Sequence, residues 1–65
     1  MDEPERRVGV IVIRVWLEKR AAPALRARIT RTVDLAAHDE TVTVAASADE
    51  ICAQVRTWLD DFLSV

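Results

Sequence analysis

Residues 47–63 read Ser47-Ala-Asp-Glu-Ile-Cys-Ala-Gln-Val-Arg-Thr-Trp-Leu-Asp-Asp-Phe-Leu63, with the periodicity of a long amphipathic helix. Apolar residues recur at three- and four-residue spacing, at Ala48, Ile51, Cys52, Val55, Trp58, Leu59 and Phe62. Ser47 and Glu50 form a capping-box pattern, in which the Ser47 hydroxyl accepts the Glu50 N–H and the Glu50 carboxylate reaches back. The segment therefore predicts one helix whose apolar stripe must pack against the residues upstream.

Three upstream segments have the composition of β-strands. Residues 8–18, 25–35 and 41–46 are rich in β-branched side chains and are separated by short connections, the first of which contains Pro23. Short connections favour antiparallel neighbours. The predicted fold is therefore α+β, with a three-stranded antiparallel β-meander followed by one C-terminal α-helix packed on one face, in βββα order. We expect one domain over residues 8–65 after a flexible N-terminal tail, residues 1–7.

The first predicted strand is apolar on both faces. One face carries Ile11, Ile13, Val15 and Leu17, and the other carries Val8, Val10, Val12, Arg14 and Trp16. A strand covered on one face only would alternate more cleanly, so we expect its second face to meet another surface. On the third strand we expect Val42 and Val44 to point inward and Thr41 and Thr43 outward.

Charges suggest a register for the first hairpin. Pairing Glu18 with Arg26 and Trp16 with Arg28 brings opposite charges and a cation–π contact together, whereas a shift by two residues opposes Arg14 to Arg28. The first arrangement is predicted. In the second hairpin we expect Val33 beside Val42.

Arg31 departs from the alternation of the second strand, because a regular strand directs it into the helix-facing layer. An unpaired charge there is costly, so one hypothesis pairs Arg31 with Asp60 or Asp61 near the helix end. The alternative is a β-bulge that turns Arg31 to solvent.

Size and composition limit the possible functions. A domain of 65 residues buries only about 60% of the surface that its unfolded chain exposes. Its single cysteine, Cys52, and single histidine, His38, cannot form a disulfide or a tetrahedral zinc site within one chain. We therefore expect no metal and no cofactor, and a second subunit as the source of additional stability.

The net charge of −2 is unlike that of a domain bound mainly to phosphates. The sequence contains no apolar run long enough to span a bilayer, and its start is acidic, unlike a secretory signal. We expect a cytoplasmic protein without membrane contact. Eight of its nine basic residues are arginine, which is typical of a GC-rich, bacterial genome.

The main functional candidate is the sheet face opposite the helix. We expect it to present Val10, Val12, Arg14 and Trp16, then Arg26, Arg28, Thr30 and Thr32, and finally Thr41 and Thr43. The first strand lies at an edge, is long and lacks the proline or inward charge that protects edges. Val10, Val12, Arg14 and Trp16 are therefore the predicted interface of a homo-oligomer, with a dimer favoured, formed by edge pairing or by face stacking.

A second hypothesis uses the same face differently. Arg14, Trp16, Arg26 and Arg28 resemble the stacking and phosphate-binding groups of sheet-based binders of single-stranded nucleic acid. A single aromatic side chain makes this the weaker interpretation.

Catalysis has little support in the sequence. We expect Cys52 to be a buried packing residue and His38 a solvated loop residue. Gly9 is the only glycine, so a glycine-rich phosphate loop cannot form. No catalytic residue is assigned, and the predicted function is that of a small accessory module that binds other proteins.

Overall fold

The structure is a computed structural model that describes residues 7–19 and 24–64. Within these residues, β1 (Val10–Glu18), β2 (Ala24–Thr32) and β3 (Thr41–Ala45) form an antiparallel sheet in the order β1-β2-β3, and α1 (Ala48–Leu63) follows. The predicted βββα fold is confirmed. No helix in this part of the chain is long and apolar enough to cross a membrane.

The start of α1 matches the predicted cap in one of its two hydrogen bonds. The Ser47 hydroxyl accepts the Glu50 N–H at 3.1 Å, as a capping residue does. The Glu50 carboxylate accepts the N–H of Ala46 at 2.7 Å, one residue before the predicted partner.

The predicted register of the first hairpin is wrong. Arg14 lies opposite Arg28 and Trp16 lies opposite Arg26, although Glu18 still reaches Arg26 diagonally at 3.4 Å. Exposed charge pairs contribute less than about 1 kcal/mol. In the observed register the Thr32 carbonyl accepts the Trp58 indole N–H and lies beside Gly9, so contacts with the end of α1 accompany this pairing.

The predicted register of the second hairpin is also wrong. Thr30 lies opposite Val42 and Arg28 opposite Val44, so both valines share the face opposite the helix and Thr43 lies on the helix side. There the Thr43 hydroxyl donates to the Gln54 side-chain oxygen, and the Gln54 amide donates to the Val44 carbonyl at 3.0 Å. The observed register differs from the predicted one by three residues, and any odd shift exchanges the two faces of a strand.

The second strand is shorter than predicted and ends at Thr32. A 3-10 turn at Leu35–Ala37 follows, capped by the Asp34 carboxylate, which accepts the Ala36 N–H at 3.1 Å. His38 closes the turn with φ 58° and is exposed, as predicted. Asp34 thus competes with strand pairing for the local backbone donors.

The fully buried core lies under the first turns of α1. Ala27, Ile29 and Ala45 are its buried residues, and Ile11 and Ile51 pack against them. No residue of α1 itself is fully buried. The core is therefore small even for a domain of this length.

The other end of α1 is fixed by aromatic contacts. The Trp58 indole N–H donates to the Thr32 carbonyl at 3.1 Å, and the Trp58 and Phe62 ring centroids are 6.2 Å apart. The Arg7 guanidinium lies 4.5 Å from the centroid of the Phe62 ring and donates to the Phe62 carbonyl. Arg7 thus contacts α1; the rest of the predicted tail, residues 1–6, lies outside the described residues.

Candidate interaction site

The helix covers two of the three strands. It packs on β2 and β3, where Ile29 is 0% exposed. On β1, the helix-side residues Ile13, Val15 and Leu17 are 38%, 55% and 60% exposed. The exposure of β1 rises with distance from the Phe62 end of α1, so the helix leaves most of this strand open.

A second apolar stripe of α1 faces this open strand. Gln54 contacts β3, and at 3.6 residues per turn Leu59 lies about 140° around the helix from it, toward β1. The stripe consists of Cys52, Val55, Leu59 and Leu63, which border a groove of about 620 Å³ along α1. Cys52 is exposed, so the prediction that it is buried is wrong: the element that would cover this side of α1 is absent from the described chain.

These two surfaces lie on the same side of the sheet. We call them the trough, with Ile13, Val15 and Leu17 as its floor and Cys52, Val55, Leu59 and Leu63 as its wall. Leu59 is 43% and Leu63 is 75% exposed. The groove beside the wall is lined by residues of α1 alone, and the floor lies on the strand next to those that α1 covers.

The opposite face of the sheet, the open face, gathers the residues that the sequence singled out. Arg14 pairs with Arg28 and, on the next rung of this face, Trp16 pairs with Arg26. Thr41 and Thr43 do not lie there, contrary to prediction. Val42 and Val44 take their place and, with Val10 and Val12, make the open face more apolar than predicted.

A shallow cleft of about 330 Å³ lies at the Arg14–Arg28 pair. Val12, Thr30, Glu40 and Val42 complete its lining. Two guanidinium groups on directly opposed positions repel each other, and the Glu40 carboxylate is the acidic group in the same cleft. This positive centre divides the apolar side chains of the open face.

Arg31 lies in a regular strand, because β2 pairs continuously with both neighbours through it. The bulge hypothesis is therefore wrong. Arg31 is half-buried and lines a cleft of about 460 Å³ that also contains Asp39 and Asp61. Asp61 thus borders the same cleft as Arg31, as does Asp39, a second acid that the sequence did not indicate, and the pairing of Arg31 with a carboxylate stays a hypothesis.

The trough was not found from sequence, although a signal existed. A helix is about 10 Å wide, whereas three strands at about 4.8 Å spacing present a wider face. One helix therefore cannot cover three strands. The alternation of β1 identified Ile13, Val15 and Leu17 as helix-side residues, and this comparison of widths would have identified them as exposed.

Cys52 and His38, the two residues that the sequence analysis considered for catalysis, do not lie together. Cys52 follows the start of α1, near the end of β3, whereas His38 precedes the start of β3, so the two side chains lie at opposite ends of that strand. Among the residues that the structure describes, no three His, Cys, Asp or Glu side chains form a group suited to a metal ion. Comparisons with protein-family models, curated proteins and solved structures found no match to this chain.

Proposed function

We propose that this chain is a non-catalytic interaction module that self-associates through its β-sheet, with β1 at the interface. One observation carries the proposal: β1 exposes apolar side chains on both of its faces and lies at a sheet edge. Val12 is 56% exposed on the open face, while Leu17 is 60% exposed on the other. Monomeric proteins rarely leave such surfaces in contact with water.

The two edges of the sheet differ in a way that favours β1. β1 has nine residues and contains no proline, whereas β3 has five. The Val44 carbonyl of β3 already accepts a hydrogen bond from Gln54. An unprotected, long, apolar edge pairs readily with another strand, so a second copy of β1 is the partner that we propose.

The Arg14–Arg28 pair favours edge pairing over stacking of the open faces. Two stacked open faces would bring both arginine pairs together in a space from which water is excluded, where unpaired charges are costly. Side-by-side pairing of two β1 strands keeps these guanidinium groups in water. It also gives the apolar side chains of β1 cross-strand neighbours on both faces of the extended sheet.

Molar mass by light scattering across a dilution series tests the proposal. We expect a dimer that dissociates on dilution, and a dissociation constant at least about tenfold higher in Trp16→Glu, because a charge replaces a large apolar side chain at the interface. Val44→Glu is the matched control, since Val44 lies on the same face but on β3. A wild-type chain that stays monomeric at every concentration would refute self-association, and equal weakening by both variants would refute β1 as its site.

A second function is favoured by one observation. Two neighbouring cross-strand pairs on the open face are Arg14 with Arg28 and Trp16 with Arg26. Such a patch can stack a base and bind phosphates of a single-stranded nucleic acid. The valines and Glu40 nearby count against it. Fluorescence anisotropy with labelled single-stranded RNA tests this alternative, which requires affinity that falls steeply with salt and is lost in Arg28→Ala.

A further inference from the structure

We propose that the trough is a docking site for an amphipathic helix of a partner protein, with basic residues along one flank of that helix. This goes beyond self-association, because it concerns a different surface and a different partner. The floor on β1 and the wall on α1 are both apolar, and all of their residues except the half-buried Val55 are exposed.

The dimensions of the trough suit a helix. Because α1 lies over β2 and β3, its axis is displaced from β1 by about one and a half strand spacings, or ~7 Å. Packed helices have axes about 8–10 Å apart. A helix in contact with the wall therefore lies over β1, or just outside it, and touches Val15 and Leu17 of the floor at the same time. An extended segment paired with the β1 edge would lie beside the floor and would not reach the wall.

The helix of a second copy fits this position poorly. Its sheet-facing residues, Ile51, Trp58 and Phe62, are already occupied by its own sheet, so it could contact the wall but not the floor. Pairing of two β1 edges would place the two copies of α1 about four strand spacings apart, or ~19 Å. That distance is about twice the spacing of packed helices, which leaves room for one further helix between them.

The charged residues beside the wall indicate which sign of charge the docked helix should carry along its flank. Asp49 and Asp60 border the groove, with Arg56 between them. Asp49 and Asp60 are three turns apart, or about 16 Å along the helix. A docked helix with Lys or Arg at matching positions would face two acids and one base, so a basic flank is favoured over an acidic one.

The probe is a blocked helical peptide about as long as α1, with leucine at helical spacing on one face and lysine elsewhere. Binding is measured by calorimetry, with molar mass determined on the same samples. We expect Leu59→Lys in the wall and Val15→Lys in the floor each to weaken binding about tenfold or more, because each puts a charge into the buried contact. Val44→Lys, on the open face, is the matched control and should bind like the wild type.

Two further peptides complete the test. A peptide of the same composition without helical spacing should bind at least about tenfold more weakly, and so should one with glutamate in place of lysine. Equal binding of the helical and scrambled peptides, or insensitivity to both trough variants, would overturn the proposal. So would a fall in the molar mass of Leu59→Lys, since the occupant would then be a second copy. A stable dimer that does not bind the peptide would refute helix docking but not self-association. Peptide binding by a chain that stays monomeric would refute self-association but not helix docking.

Discussion

Gly9 offers a test of how α1 is held against the start of β1. A Cβ added at Gly9 would lie 2.9 Å from Cδ1 of Phe62 and 3.0 Å from the carbonyl oxygen of Thr32. The first distance is shorter than real Cβ contacts, and the second neighbour is backbone. Gly9 has no positive φ, so alanine is excluded here by lack of space and not by backbone conformation.

The sign of the effect of Gly9→Ala distinguishes two physical contributions. Replacing glycine in an unstrained conformation stabilises a protein by about 0.4–1 kcal/mol through the unfolded chain, whereas an extra methyl in a filled site costs about 1–3 kcal/mol. The distances to Phe62 and Thr32 favour the second contribution, and we expect a net loss of about 1–2 kcal/mol. In a domain of this size each kcal/mol corresponds to about 4–8 °C in Tm.

Thermal and urea unfolding, followed by circular dichroism at one fixed protein concentration, measures this loss. Phe62→Leu supplies the control background, because a smaller side chain gives the new methyl group room. The cost of Gly9→Ala should be smaller in that background, so the two changes should couple. Stabilisation by Gly9→Ala, or the same cost in both backgrounds, would show that Phe62 does not pack against Gly9.

Three further predictions concern β2. Ile29→Ala, at a large side chain that is fully buried, should cost about 2–5 kcal/mol in unfolding free energy and leave little native circular dichroism. A cooperative transition near the wild-type Tm would contradict the described core. Arg28→Glu should stabilise the chain by about 0.2–1 kcal/mol, because it turns the repulsion with Arg14 into attraction; a lower urea midpoint would argue against that pairing. A double-mutant cycle on Arg31 and Asp61 should give a coupling of about 0–1 kcal/mol, as for partly exposed charges, and a value above about 2 kcal/mol would indicate a buried ion pair.

The elements that local sequence determines were predicted well. The three- and four-residue spacing and the Ser47 cap fixed α1, since both depend on residues within one helical turn of each other. The composition and short connections of the strands fixed their order and antiparallel pairing. Even so, the cap of Asp34 on the 3-10 turn that follows the second strand was not predicted.

The register of the strands, and the face of the sheet on which each side chain lies, depend on contacts between distant residues that local sequence patterns do not reveal. In β3 the residues Thr41-Val-Thr-Val44 alternate two β-branched side chains of nearly equal shape, so hydrophobicity alone favours the valines inside. The structure places Thr43 inside, where Gln54 of α1 provides the partner for its hydroxyl. That partner is eleven residues away and could be found only by orienting the helix first.

The small core and the exposed strand have one cause. One helix lies on the β2 and β3 side of the sheet, so Ile29 is sealed while the same face of β1 is not. A chain this short has no further element among the described residues to complete the layer. A strand paired with the edge of β1 would satisfy its backbone N–H and C=O groups, and a helix above the sheet would cover the side chains of Val15 and Leu17. A single neighbouring element cannot make both contacts. The proposed strand beside β1 and the proposed helix in the trough would therefore be complementary, and the absence of either would leave part of β1 in water.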